Sequence, residues 1–283
     1  MVKGVVTTGT DPNEEATMAP TRSPARLAPL LALLTVLVGI VGACASSTPS
    51  ESADAPTTRP TTTTTAAAVI DPGDGGEYRV ELDPADFVAT IDNPYLPFPV
   101  GARWVYEGDG ERIEVVVTDE RREIMGIDAT VVRDTVTDGD GQVVEDTYDW
   151  FAQDADGYVW YLGEDSTEYE NGEPANTNGS WEAGVDGALP GIVMPAQPAV
   201  GDAYRQEYYP GEAEDLAEVR RFEATLDAPT GPYRDVLVTG EWNPLDPEVV
   251  EEKYYAEGVG LVREVTVAGG SGQVDLVSFE PGG

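Results

Sequence analysis

Five turn signals recur through the middle of the chain at nearly constant spacing: Asp109-Gly110, Met125-Gly126, Asp140-Gly141, Asp156-Gly157 and Asn171-Gly172 stand 16, 15, 16 and 15 residues apart. Asp-Gly and Asn-Gly suit two-residue hairpin loops, whose central residues both take positive φ. The runs between them, RIEVVVTDERREI, IDATVVRDTVTD, QVVEDTYDWFAQD and YVWYLGEDSTEYE, are rich in Val, Ile, Thr, Tyr and Trp. Such spacing predicts long antiparallel strands joined end to end.

In the second run Ile127, Ala129 and Val131 give way on the same face to Arg133 and Thr135, while the opposite face passes from Asp128 and Thr130 to Val132 and Val136. A face that changes polarity midway implies a bulge, or a curved sheet packed on different partners at its two ends. Past Trp181 the pattern breaks into EAGVDGALPGIVMPAQPAVGD, a Gly- and Pro-rich loop with an apolar centre from Leu189 to Met194. Two readings stand for it: a lid over an open face of the sheet, or a loop that covers the core. Strands resume with DAYRQEYY, EVRRFEATL, RDVLVTGEW, VVEEKYYAE, GLVREVTV and QVDLVSF, with a short helical turn expected in GEAEDLAEV. The sum is an all-β class, an antiparallel meander of about eleven strands curved into a half-barrel or sandwich.

Upstream, Arg22 and Arg26 precede an apolar run of 17 residues, Leu27 to Ala43, ending in small residues before Cys44, the only cysteine. A spanning helix needs roughly 20 apolar residues, so the run reads as a cleaved signal over 18–43, with residues 1–17 as an over-extended start. Val41-Gly42-Ala43-Cys44 resembles the lipobox of bacterial lipoproteins, with Val41 where leucine is usual. That resemblance implies Cys44 as the acylated new N-terminus and the membrane as a partner through it, on the extracytoplasmic face. Residues 44–70, rich in Thr, Ser and Pro with an unbroken Thr61–Thr65, read as a disordered tether. One β domain, 71–283, follows.

The leader removes as many acidic as basic residues, so the mature chain keeps the net charge of −37. That field argues against nucleic acid and anionic head groups as partners, and suits solubility, a high-salt habitat or cations. Histidine is absent and cysteine ends at Cys44, which excludes Ser-His and Cys-His nucleophiles and His-ligated zinc from the domain. Lys253 is the only lysine after the leader and has no partner serine in its sequence context. Carboxylates are too many for any pair to single out a hydrolase, and no phosphate-binding loop follows a strand. The domain therefore reads as non-catalytic, with no cofactor required and calcium as the one candidate ion.

Binding candidates remain. Tyr148 and Trp150 share one strand face, and Trp160 and Leu162 a face of the next; they read as core, or as lining of an apolar pocket under Leu189, Ile192 and Met194. Arg133 and Arg205, in strand patterns among apolar neighbours, are either structural ion pairs or forks for an anionic head group. Asp154 and Asp156 open a DADG motif like the start of a calcium loop, with Glu164 and Asp165 returning to it if the hairpin folds; a plain hairpin tip is the other reading. Two functions follow as expectations: binding of a small apolar or amphiphilic ligand in the concave face, and a calcium-dependent envelope or protein-interaction module.

The stretches IDNPYLPFPVGARWVYEG, YDWFAQDADGYVWYLGED, GSWEAGVDGALPGIVMP and KYYAEGVGLVREV are similar to a family of uncharacterised bacterial secreted proteins and lipoproteins, over roughly residues 91 to 267. The resemblance supports domain limits more than activity. A lipid-anchored curved sheet also resembles, in architecture, the half-barrel lipoprotein carriers of the LolA and LppX type.

Overall fold

The computed structural model describes residues 78–283. The signal at 18–43, the start at 1–17, Cys44, the tether at 44–70 and residues 71–77 lie outside the described residues. The elements run β1 (Phe87–Val88), β2 (Arg103–Gly108), β3 (Glu111–Ile124), β4 (Ile127–Thr137), β5 (Val143–Asp154), β6 (Val159–Glu170), β7 (Glu173–Asn176), β8 (Trp181–Glu182), β9 (Gly191–Met194), β10 (Ala203–Arg205), β11 (Leu216–Ala228), β12 (Gly231–Asn243), β13 (Asp246–Ala256), β14 (Gly260–Ala268) and β15 (Gly272–Glu280). Among the described residues, helical structure is one 3-10 turn, Pro84–Asp86. GEAEDLAEV forms turns and the Tyr209–Ala213 bridge in place of a helical turn.

The class is all-β and antiparallel, as the turn spacing predicts. The neighbour order is β10-β11-β12-β13-β14-β15-β2-β3-β4-β5-β6-β7, with β1 added to β5 and both β8 and β9 added to β6. Fifteen strands replace the expected eleven because β1, β7, β8 and β9, of two to four residues each, are too short to show a period. Three turn signals make the expected loops: Asp109-Gly110, Met125-Gly126 and Asn171-Gly172 have positive φ at both residues. At Asp140-Gly141 and Asp156-Gly157 only the glycine does. There a preceding aspartate organises a wider turn, Asp138 accepting from the amides of Asp140 and Gln142, and Asp154 from those of Asp156, Gly157 and Tyr158.

The polarity switch in β4 is also present: Ile127, Ala129 and Val131 are buried at one end, Val132, Asp134 and Val136 at the other. The β3–β4 register slips between Val117 and Arg121. β8 is tied to the Ile127 end of the hairpin, with Arg122 paired to Glu182 at 2.5 Å.

The apolar loop at 189–194 is a wall, neither lid nor covering loop. β9 pairs with β6, Val159 opposite Met194 and Tyr161 opposite Gly191. Its forward end meets the chain just past β10 in one isolated bridge, Leu189 to Tyr208, whose Leu189 amide donates to the Tyr208 carbonyl at 2.8 Å. The curved sheet is thereby closed on itself along a seam. Glycine is required at 191, because a Cβ there would collide with the Gln206 backbone.

The segment from Ile91 to Phe98 plugs this enclosure. Ile91, Leu96 and Phe98 are buried, and Phe98 packs on Trp104 and Phe151 with ring centroids 5.8 and 5.1 Å apart. Polar clamps hold the plug at its ends. The Asn93 amide donates to the Gly157 and Pro195 carbonyls at 3.0 Å, and Gln153 Oε1 accepts from the backbone of Asp92 and Asn93.

Candidate functional site

Inside the sheet, apolar core gives way to acid. Asp134, Glu145, Asp149, Glu164, Glu207, Asp215, Glu241, Glu251 and Glu264 are each no more than 9% exposed, and Lys253 is buried among them. Alternation along the strands brings them there: Glu145, Thr147 and Asp149 fall on one face of β5, Glu251, Lys253 and Tyr255 on one face of β13. On the β5–β6 wall Tyr161 donates to Asp149 at 2.5 Å and lies 3.3 Å from Glu164, while Thr147 donates to Glu145 at 3.0 Å and lies 2.8 Å from the Ser166 hydroxyl. Across from it Lys253 Nζ lies 3.0 Å from Glu241 and 3.7 Å from Glu264. The two oxygens of Asp134 and Oε1 of Gln206 meet no hydrogen-bond donor.

Burial is the main cause of the titration behaviour here, because a charge in a low-dielectric interior is disfavoured. Glu145, Asp149 and Asp215 are pushed up to about 7. Asp134, Glu164, Glu207 and Glu264 go well above the usual carboxylate range, burial being reinforced by neighbouring carboxyls. Burial draws the Lys253 ammonium down, but Glu241, Glu264 and Glu251 more than offset it and the net shift is upward. Most of the interior acids thus hold their protons to higher pH than exposed carboxyls do, around one ammonium.

Two cavities adjoin in this interior. One, with about 10 Å³ for the centre of a water-sized sphere, is lined by Tyr161, Val193, Gln206, Glu207, Asp215, Glu241 and Lys253. The other, about 20 Å³, is apolar, lined by Phe98, Trp104, Tyr106, Val115, Gly260 and Leu261. Leu96 and Tyr255 belong to both walls. Each is about the size that holds one water.

Apart from Glu164, the residues singled out from the sequence as binding candidates are placed elsewhere. Trp150 and Tyr148 sit on the face of β5 opposite Asp149, under the guanidinium carbons of Arg122 at 3.9 Å and Arg133 at 5.5 Å. Arg133 makes a two-pronged surface pair with Asp146 at 2.7 and 2.9 Å, so it holds no head group inside the sheet. Arg205 is buried over the rings of Tyr208 and Tyr78, 4.8 and 5.6 Å from their centroids, and donates to the Glu214 carbonyl. Ile192 and Met194 are buried in β9, and half-buried Leu189 forms the seam, so they are wall and not the roof of a pocket.

The proposed calcium set does not assemble. Asp154 Oδ1 is taken by three backbone amides and its Oδ2 accepts from Trp160 Nε1 at 2.8 Å, Asp156 is exposed at the tip, and Glu164 and Asp165 pair opposite Asp149 and Tyr148, several residues up the hairpin. Glu164 faces the interior while Asp165 is exposed. Among the described residues no three such ligands are grouped as a metal requires. Asp154→Ala is therefore expected to cost about 2 kcal/mol, roughly 4–8 °C of melting temperature, by orphaning the turn amides. Calorimetry with and without calcium checks it: a calcium-dependent rise in the parent that the substitution abolishes would restore the metal reading.

Lys253 and Glu164 were singled out from the sequence for other roles, and their gathering with the other interior acids was missed, although one signal was there. In VVEDTYD both faces of a long strand are polar, which an ordinary sheet packed on one side does not produce.

No protein-family model matches the chain, and no curated protein matches it. Among solved structures it is similar to a protein from Bacteroides fragilis NCTC 9343 described as exported and YmcC-like in fold, 14% identical over 66% of this chain and 99% of that one, with a TM-score of 0.39. It is also similar to a protein from Parabacteroides distasonis ATCC 8503 described as a lipoprotein, 13% identical over the same shares, with a TM-score of 0.37. Likeness this remote leaves function to be read from the residues themselves.

Proposed function

We propose that this chain is an extracytoplasmic lipoprotein, attached to a bacterial membrane through acylated Cys44 and without catalytic activity of its own, which binds a small amphiphilic ligand with a cationic end. The observation that carries the reading is the adjacency of the two cavities. An apolar recess and a carboxyl-lined one share Leu96 and Tyr255, so Leu96 fills the place an amphiphile would take with its cationic end toward Glu207, Asp215 and Glu241. Nine buried carboxyls against one lysine are a costly interior for stability alone, and a cation would offset that cost.

Native mass spectrometry of the mature chain, purified from its host without detergent, tests this. The expected result is a bound basic amphiphile that is lost on denaturation, and uptake of dodecylammonium but not dodecyl sulfate, tightened in Leu96→Ala. A neutral lipid would point to a carrier of the LolA or LppX kind, stoichiometric calcium to the interaction module, and no uptake of dodecylammonium by either form would overturn the reading.

A further inference from the structure

The seam is the weakest closure of the wall and stands directly over the acid cavity. On one side of it lies β9; on the other, Gln206, Glu207 and Tyr208 run in sequence, Gln206 against Gly191, Tyr208 bridged to Leu189, and Glu207 between them turned into the cavity. The Gln206 amide donates to the Asp215 carbonyl at 2.7 Å, which brings the Asp215 carboxyl beside Glu207 in the same cavity wall. Across the seam lies Tyr78, the first described residue, 5% exposed: its hydroxyl donates to the Pro190 carbonyl at 2.7 Å and its ring lies 5.1 Å from that of Tyr208, with Arg205 over both. One residue at the root of the N-terminal segment thus straps both sides of the closure.

We propose that the seam between β9 and the Gln206–Tyr208 segment is a pH-operated gate, shut by the Tyr78 strap while the Glu207–Asp215 pair holds its protons and opened by repulsion when both carboxyls ionise. Every wall facing the pair adds to that repulsion or resists it. Asp149 with Glu145 behind it on β5, Glu164 on β6, Glu241 on β12, Glu251 on β13 and Glu264 on β14 are acids. Tyr161 and Tyr255 line the same cavity, and the Tyr204 hydroxyl is buried beside β10's end. Lys253 is the cation, already within 3.0 Å of Glu241, and Arg205 is engaged with the strap. Burial and the neighbouring carboxyl hold Glu207 well above the usual range and lift Asp215 to about 7, so the pair gives up its protons as pH rises, later than exposed carboxyls do. Opening at the seam leaves β9 paired with β6, so the Leu189–Tyr208 bridge, the strap and the packing of Gln206 on Gly191 are what must yield. The gate operates whether or not a ligand enters the cavity.

Hydrogen exchange of the full mature chain, read by mass spectrometry and normalised for intrinsic rates, tests it at pH 5.5, 7 and 8.5. Protection in peptides covering 186–192 and 204–210 is expected to fall at least tenfold between pH 5.5 and 8.5, while the β3–β4 hairpin keeps its protection. Tyr78→Phe, which keeps the ring and loses the bond to Pro190, is expected to move the opening to lower pH. Glu207→Gln with Asp215→Asn is expected to remove the pH dependence. Seam protection that is flat with pH in the parent overturns the gate even if neither variant folds, as does an unchanged pH dependence in the double variant.

Discussion

Replacing Lys253 with methionine is expected to lower the melting temperature by roughly 10–15 °C at pH 8 and by less than half of that at pH 5. The side chain is 4% exposed and its ammonium lies between Glu241 and Glu264, so its removal leaves carboxylates buried without their cation. Breaking a buried pair from one side costs about 3–5 kcal/mol, and a domain of this size loses about 2–4 °C per kcal/mol. The dependence on pH separates charge from packing, since methionine fills nearly the same volume. At pH 5 Glu264 and Glu251, both raised by burial, hold their protons more fully and the penalty shrinks, whereas a packing defect is the same at both values. Thermal unfolding of the parent and of Lys253→Met at the two pH values decides it, and an equal loss at both would refute the electrostatic account. Adding Glu241→Gln should restore part of the stability at pH 8, because it removes the charge that Lys253 neutralised.

The same residue shows where sequence reasoning stops. Strand class, antiparallel pairing and the turns at Asp109, Met125 and Asn171 were legible because they depend on residues near one another in the chain. The switch of buried face in β4 was legible for the same reason, as a change in a local period. What Lys253 touches depends on which strands end up opposite β13, and Glu241 and Glu264 come from the two neighbouring hairpins. The seam was less legible still. GIVM was read as part of a lid or of a core-covering loop, and only the closure of the whole sheet places Gly191 against Gln206. Asp154 was legible as a hairpin tip for an opposite reason: its local chemistry is complete in itself, four donors satisfied within one turn, so nothing remained for a metal.

Stability is expected to fall as pH rises from about 5 to 8, the reverse of the ordinary acid-denaturing protein. Glu145, Asp149 and Asp215 titrate near 7 in the folded chain, and Asp134, Glu164, Glu207 and Glu264 above the usual range, against about 4 for unfolded carboxyls. The folded state therefore binds more protons than the unfolded one between these values, and stability decreases with pH wherever that holds. The contribution is fully present below pH 4 and disappears as pH passes through the folded values. The exposed ion pairs act in the other direction. Arg103 holds Glu114 below its ordinary range and Arg221 does the same for Glu252, so their share is lost as pH drops under about 4. An optimum near pH 4–5 follows. If the interior retains one net proton, the fall is about 1.4 kcal/mol per pH unit, so roughly 6–12 °C of melting temperature between pH 5 and 7. The net charge of −37 would also destabilise the fold at high pH, through repulsion at the surface. Salt tells the two apart, because exposed charges are screened at 0.5 M while buried ones are screened much less. A pH slope that survives 0.5 M sodium chloride locates the effect in the interior, and a melting temperature that is flat or rising from pH 5 to 8 would mean the interior acids are already ionised and compensated.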